Sequence, residues 1–256
     1  MKTTIFFIIV FIIVSCSTSS KKEADYSHLG DLTERDYIDH LASIGADYIS
    51  NQETHEIRLT QESQSFLTQI YDRIISNNEL LFVKGEQPSF HIVINKTPFI
   101  FSLPRAQFFI SSGLIEKYLK SEELFVAALS AEIVKSNRNI YEKKIMIPLG
   151  FYSTEKMILL TRLKPETKYQ VNEWTYIVLK RAGLDPTAFL NWIQVQNRNT
   201  LDFSLYLGDA IGISKEEHSF KNFMTKQGLI GTEKKTLEAN SSKLFYKLIN
   251  NISSKK

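Results

Sequence analysis

Glu132 lies in the stretch ALSAEIVKSN (128–137), and a mid-helix glutamate invites one specific chemistry. With a histidine one residue before it and another three residues after, it can deprotonate a zinc-bound water. Those two flanking positions are one helical turn apart, so they share a face and converge on one ion. Here they hold Ala131 and Lys135. Alanine has no lone pair to offer; a protonated lysine has none either, and it repels a cation. Without a metal, water keeps a pKa near ~15.7 rather than about 7, which leaves Glu132 nothing useful to deprotonate.

No relocated ligand set stands out elsewhere. HEIRL (55–59) supplies His55 and Glu56 without a second histidine, and His28, His40, His91 and His218 are scattered singly. Isolated histidines of this kind read as surface or satisfied structural residues. Ser130 has lysines near it in sequence, but a serine nucleophile needs a base within hydrogen-bond reach and an oxyanion hole. Its side chain points about 100° around the helix from Ala131, and no glycine-rich elbow accompanies it. Metal-free serine hydrolysis is therefore set aside.

The elements that must position Glu132 are written in the periodicity. LTERDYIDHLASIGADYIS places Tyr37, Ile38, Leu41 and Ile44 at helical spacing behind a Thr33 cap, and Phe66, Leu67, Ile70, Ile74 and Ile75 repeat the pattern. FHIVIN, PFIFSL and QFFISS are short Phe/Ile runs punctuated by Pro98 and Pro104 and predict strands of a small sheet. Helix returns in SEELFVAALSAEIVKSN, capped by Ser121, with Glu122 and Glu123 favourable in its first turn. A further helix runs through ETKYQVNEWTYIVLKRAG and closes at Gly183, and Pro186 opens the next. The C-terminal Leu244, Phe245, Leu248, Ile249 and Ile252 form one stripe. It is expected to dock on the core, the other reading being a basic amphipathic tail on a membrane surface.

The N-terminus predicts an address. Lys2 precedes the apolar run Ile5–Val14, which suits a signal peptide over 1–15 and falls short of the roughly 20 residues that span a bilayer. Ile13-Val14-Ser15-Cys16 resembles a bacterial lipobox, so Cys16 is the expected lipidation site; it is the sole cysteine of the chain, which rules out an intramolecular disulfide. The Ser- and Lys-rich residues 16–30 read as a flexible tether, and 31–256 as one domain. Ser17 after the cysteine, by resemblance to sorting in Gram-negative envelopes, points to the outer membrane, facing the periplasm. The net charge is +3 with acids and bases interspersed, which gives no footprint for nucleic acid.

Three segments taken in order carry a family resemblance. FIFSLPRAQFFISSGLI (99–115) resembles the NAFALPGGxIxVxxGLL segment of zinc metallopeptidases of the HtpX and BepA type, relatives of the CAAX prenyl proteases. SEELFVAALSAEIVK is similar to their histidine-bearing helix, and KYQVNEWTYIVLKRAGLDPTAFLNWI to their E-x-x-x-D helix ending in AGYDP. The likeness covers about residues 60–195.

This resemblance implies an α+β, mainly helical, gluzincin-like fold with a small mixed β-sheet packed against the helices. It carries the first histidine onto Ala131, the general base onto Glu132, the second histidine onto Lys135, the glutamate ligand onto Lys168 and the neighbouring aspartate onto Asn172. Zinc is expected to be absent, and the chain is expected to act as an inactive pseudopeptidase: a lipid-anchored envelope protein binding a polypeptide or protein partner. The alternative is an active peptidase with a non-standard metal site. The paired glycines of LPGG fall on Arg105 and Ala106, which puts strand-addition docking of a peptide in doubt. Two readings of the former site stand open. In one, Lys135 and Lys168 hold Glu132 in a cluster with Asn172; in the other, Glu132 and Lys135 are an ordinary i,i+3 pair on a solvated face. A chance likeness would leave helices 122–137 and 166–182 facing apart.

Overall fold

The N-terminal apolar run, Cys16, the tether and the Thr33 cap lie outside the residues that the computed structural model describes, which are 34–82, 86–138, 140, 152–207, 210–228 and 241–254. All of these belong to one compact unit. Helix α1 (Glu34–Ser50) buries Tyr37, Leu41, Ile44 and Tyr48, a stripe with the expected spacing. Gly45 lets it lie close on the sheet, since a Cβ there would sit 3.0 Å from Leu103 and 3.1 Å from Phe109. Helix α2 (Gln61–Ser76) begins at Thr60, whose hydroxyl accepts from the Ser63 N–H.

The three expected strands are present as β2 (Ser89–Val93), β3 (Ile100–Leu103) and β4 (Gln107–Ser111). A two-residue strand, β1 (Glu56–Ile57), joins them; two residues are too few to leave a periodic signal. The order is β1-β2-β4-β3, with β2 parallel to β4 and both outer strands antiparallel, so the sheet is small and mixed. The α+β class with a helical majority is as expected.

Ser111 ends β4 and caps α3 (Ser112–Lys117), its hydroxyl accepting from the Leu114 N–H. Ser121 likewise caps α4 (Glu122–Arg138), where it accepts from the Leu124 N–H. Helix α4 is the axis of the domain. Every residue from Phe125 to Ser136 is buried, because α4 packs on β3 and on helices of both flanks. A helix enclosed on all sides cannot show a one-sided apolar stripe, and α4 does not.

Beyond it come α5 (Thr154–Thr161), α6 (Pro165–Arg181), α7 (Thr187–Arg198), the single turn α8 (Ser204–Leu207), α9 (Ala210–Lys226) and α10 (Lys243–Ser253). Gly183 takes a left-handed φ of 65° and closes α6, as expected. The Ala182 and Gly183 carbonyls there accept from the Arg73 guanidinium. Helix α10 docks on the core against α2 and α3 rather than lying free. Its Phe245, Leu248 and Ile252 are fully enclosed, with the Phe245 ring 6.0 Å from both Phe66 and Phe125. Each such side chain is worth about 1.5–3 kcal/mol of burial. Among the described residues, no helix is long and apolar enough to cross a membrane.

Candidate functional site

Helices α4 and α6 pack directly against each other, so the chance-likeness expectation that they face apart does not hold. Two serines tie α4 to β3. Ser102 donates to the Glu132 carboxylate at 2.9 Å, and its hydroxyl also lies 3.0 Å from the Glu132 main-chain oxygen. One turn on, Ser136 donates to the Leu103 carbonyl at 2.6 Å and accepts from the Ala106 N–H at 3.1 Å. Ser136 thereby satisfies main-chain groups at the buried β3–β4 turn, which cannot reach water.

Glu132 is buried, and its remaining oxygen, Oε1, lies 2.5 Å from Lys135 Nζ. The two form the i,i+3 pair allowed by the sequence, but on an enclosed face: their side chains are only 5% and 11% exposed. The solvated-face reading is thereby corrected; Coulomb attraction at this depth is stronger than at a surface, and the desolvation cost is larger as well. Burial pushes the Glu132 carboxyl above the ordinary glutamate range, and the Lys135 ammonium and Ser102 hydroxyl pull back against it.

Lys168 and Asn172 do not join that cluster. They lie one turn apart on α6 and turn to Glu216 of α9: Lys168 Nζ is 2.5 Å from Oε2, and the Asn172 amide donates to Oε1 at 2.8 Å. The expected single cluster is two separate ion pairs, Glu132–Lys135 and Glu216–Lys168. The reason is reach: Glu216 meets both α6 side chains, while Lys135 and Ser102 already occupy the two carboxylate oxygens of Glu132. Ala131 is core, 8% exposed. Ser130 spends its hydroxyl on the Val126 carbonyl at 2.7 Å and is fully buried, so it is structural. Near the Glu56–Ile57 strand, His91 Nδ1 lies 2.9 Å from the Glu56 carboxylate, with its ring stacked on Phe109.

Sequence reasoning missed Glu216 and Ser102. A signal for Glu216 exists: it shares a stripe with Phe220 and Met224, at four-residue steps along α9, and all three are buried. An acid on the apolar stripe of an amphipathic helix demands a buried partner. Its neighbour Glu217 faces α7, where Gln194 and Asn197 donate to it at 3.1 and 2.7 Å. Lys221 approaches it to 2.6 Å, and these contacts hold its carboxyl down at about 2.

The donor set does not fit zinc. Ala131 has no donor, and Lys135 and Lys168 present ammonium groups already engaged with carboxylates. Among the described residues, no group of three or more His, Cys, Asp or Glu side chains is placed to hold a metal ion. The β3–β4 turn carries left-handed φ values of 64° at Arg105 and 51° at Ala106. Glycine would adopt these freely, and other residues adopt them at a cost of about 1–2 kcal/mol each. Comparison of the chain with protein-family models and with curated proteins finds no match.

Proposed function

We propose that this chain is a lipid-anchored cell-envelope protein whose gluzincin-like domain has exchanged zinc chemistry for binding. It holds a polypeptide or a protein partner as a scaffold or regulator of envelope proteostasis. The carrying observation is charge replacement: Lys135 and Lys168 stand where the resemblance implies metal ligands, and each neutralises a buried carboxylate. A cation would be needed there electrostatically; two ammonium groups take its place. The β3–β4 turn supports the same frame, because Arg105 and Ala106 keep a glycine-like backbone where the resemblance has paired glycines. In this reading Cys16 carries the lipid and holds the domain at the outer membrane, facing the periplasm. No zinc and no nucleic acid take part.

Metal analysis of the purified protein, followed by a casein-cleavage assay with and without chelator, tests the loss of chemistry. The expected result is zinc far below one per chain and no chelator-sensitive cleavage; stoichiometric zinc with chelator-sensitive cleavage overturns it. The frame is tested separately by the triple variant Ala131→His, Lys135→His, Lys168→Glu, which breaks both buried ion pairs and should therefore lose stability without metal and regain it on binding one zinc ion. A folded triple variant that binds none counts against the gluzincin-like frame. Cys16→Ser should move the protein from the membrane fraction to the soluble one.

A further inference from the structure

An edge strand offers a row of main-chain donors and acceptors to any extended chain beside it, and among the described residues β3 is an edge of the sheet. In an antiparallel ladder, residues alternate between pairing across and facing away. The Ser111 N–H donates to the Phe99 carbonyl, which sets the phase. Phe99, Phe101 and Leu103 therefore turn their main chain to β4, and Ile100 turns its N–H and C=O outward. One atom takes both: the Ile100 N–H donates to the Tyr206 hydroxyl, and that hydroxyl donates to the Ile100 carbonyl. An added strand would make those same two bonds.

Tyr206 is held in place by a short strap, residues 199–207. Phe203 anchors it, fully buried, with its ring 4.9 Å from Tyr118 and 5.7 Å edge-on from Trp192. The adjoining Asp202 carboxylate accepts from the Lys117 ammonium and the Tyr118 hydroxyl. Helix α5 packs on both β3 and α8, so helix and strap cover the edge together.

We propose that Tyr206 is an intramolecular plug on a latent strand-addition site, competing with an incoming extended polypeptide for the main chain of Ile100. This rests on the polypeptide-binding reading above and adds that the binding is gated. The ligand is recognised through its main-chain amides, so unfolded segments fit and helical ones do not.

The test uses the full-length protein in detergent and fluorescein-labelled β-casein as the probe. Tyr206→Phe removes the hydroxyl and keeps the ring against Phe203; Asp202→Asn loosens the strap without touching Tyr206. Casein should bind Tyr206→Phe about tenfold tighter than wild type, the net worth of the two internal hydrogen bonds that this hydroxyl no longer makes, and Asp202→Asn should shift the same way. Hydrogen exchange at the Ile100 amide should quicken by a similar factor in Tyr206→Phe and slow again when casein is added. Equal casein affinity of wild type and both variants overturns the plug while leaving polypeptide binding standing. Binding by neither overturns both, and casein binding that leaves Ile100 unprotected places the ligand elsewhere and overturns the plug.

Discussion

Lys168 Nζ lies 2.5 Å from Glu216 Oε2, and the two ends of this pair stand in different surroundings: the lysine side chain is 27% exposed and the glutamate side chain 4%. The pair is therefore asymmetric in what its loss costs. Lys168→Ala strands a carboxylate in the core and should cost about 3–5 kcal/mol. Glu216→Ala frees an ammonium that can swing to water and leaves only the Asn172 amide short of an acceptor, which should cost about 1–3 kcal/mol. Urea unfolding of both variants checks the order, and a reversed order refutes this account of the site.

The Glu132–Lys135 pair is enclosed at both ends, so removing one partner and removing both should differ in kind. Lys135→Met alone should destabilise by about 3–5 kcal/mol, whereas Glu132→Leu with Lys135→Met should regain most of that loss or exceed wild type. Ser102 tolerates the double change because its hydroxyl keeps the main-chain oxygen of residue 132. Strict additivity of the single changes in chemical denaturation would remove the coupling claimed here.

Glu132 also gives the protein a pH signature. Burial raises its carboxyl above the ordinary value of 4.5, so the folded chain holds this proton where the unfolded chain has released it. The resulting contribution to stability is full below pH 4.5 and is lost as pH rises from there through the folded value. Lys135→Met removes the opposing charge and should steepen that loss; stability measured from pH 4 to 8 in both proteins shows it. A parallel pair of curves rules it out.

Glu217 works in the opposite direction. Held at about 2 against an ordinary 4.5, it contributes stability that is present above pH 4.5 and disappears as pH falls toward 2. Glu217→Gln should flatten the acid limb of the stability curve while leaving neutral pH less affected. An acid limb unchanged by this substitution would show that the Lys221, Asn197 and Gln194 contacts carry no differential stability.

Gly113 has no room for a side chain. A Cβ there would lie 2.5 Å from the Lys96 carbonyl oxygen and 2.7 Å from that of Asn95, both backbone atoms. Gly113→Ala should cost about 1–3 kcal/mol. Gly45→Ala should cost less, because its closest neighbour, at 2.3 Å, is the movable end of the Gln107 side chain. Thermal unfolding ranks the two.

Helices α1, α2, α4, α6, α7 and α10, the caps of α4 and α6 and the three longer strands could be read from the chain because their causes are local, whereas α5, α8 and α9 were not read. Ser121 and Gly183 act on atoms a few residues away, and the spacing of Phe66, Leu67, Ile70 and Ile74 is a property of one helix. The chemistry missing at Ala131 and Lys135 was equally legible, since a residue type without a lone pair fails as a ligand in any fold. What the chain alone could not decide was who pairs with whom. Lys168 was equally able to reach Glu132 or an acid from the unaligned C-terminal region, and only the packing of α9 on α6 chose Glu216. Burial, too, is a tertiary outcome: α4 places Glu132 and Lys135 one turn apart in any setting, but the sheet and the surrounding helices determine that the pair lies in the interior, where its loss is expensive. Pair distance is set by local geometry, whereas dielectric surroundings and the choice among distant partners depend on the whole packed chain.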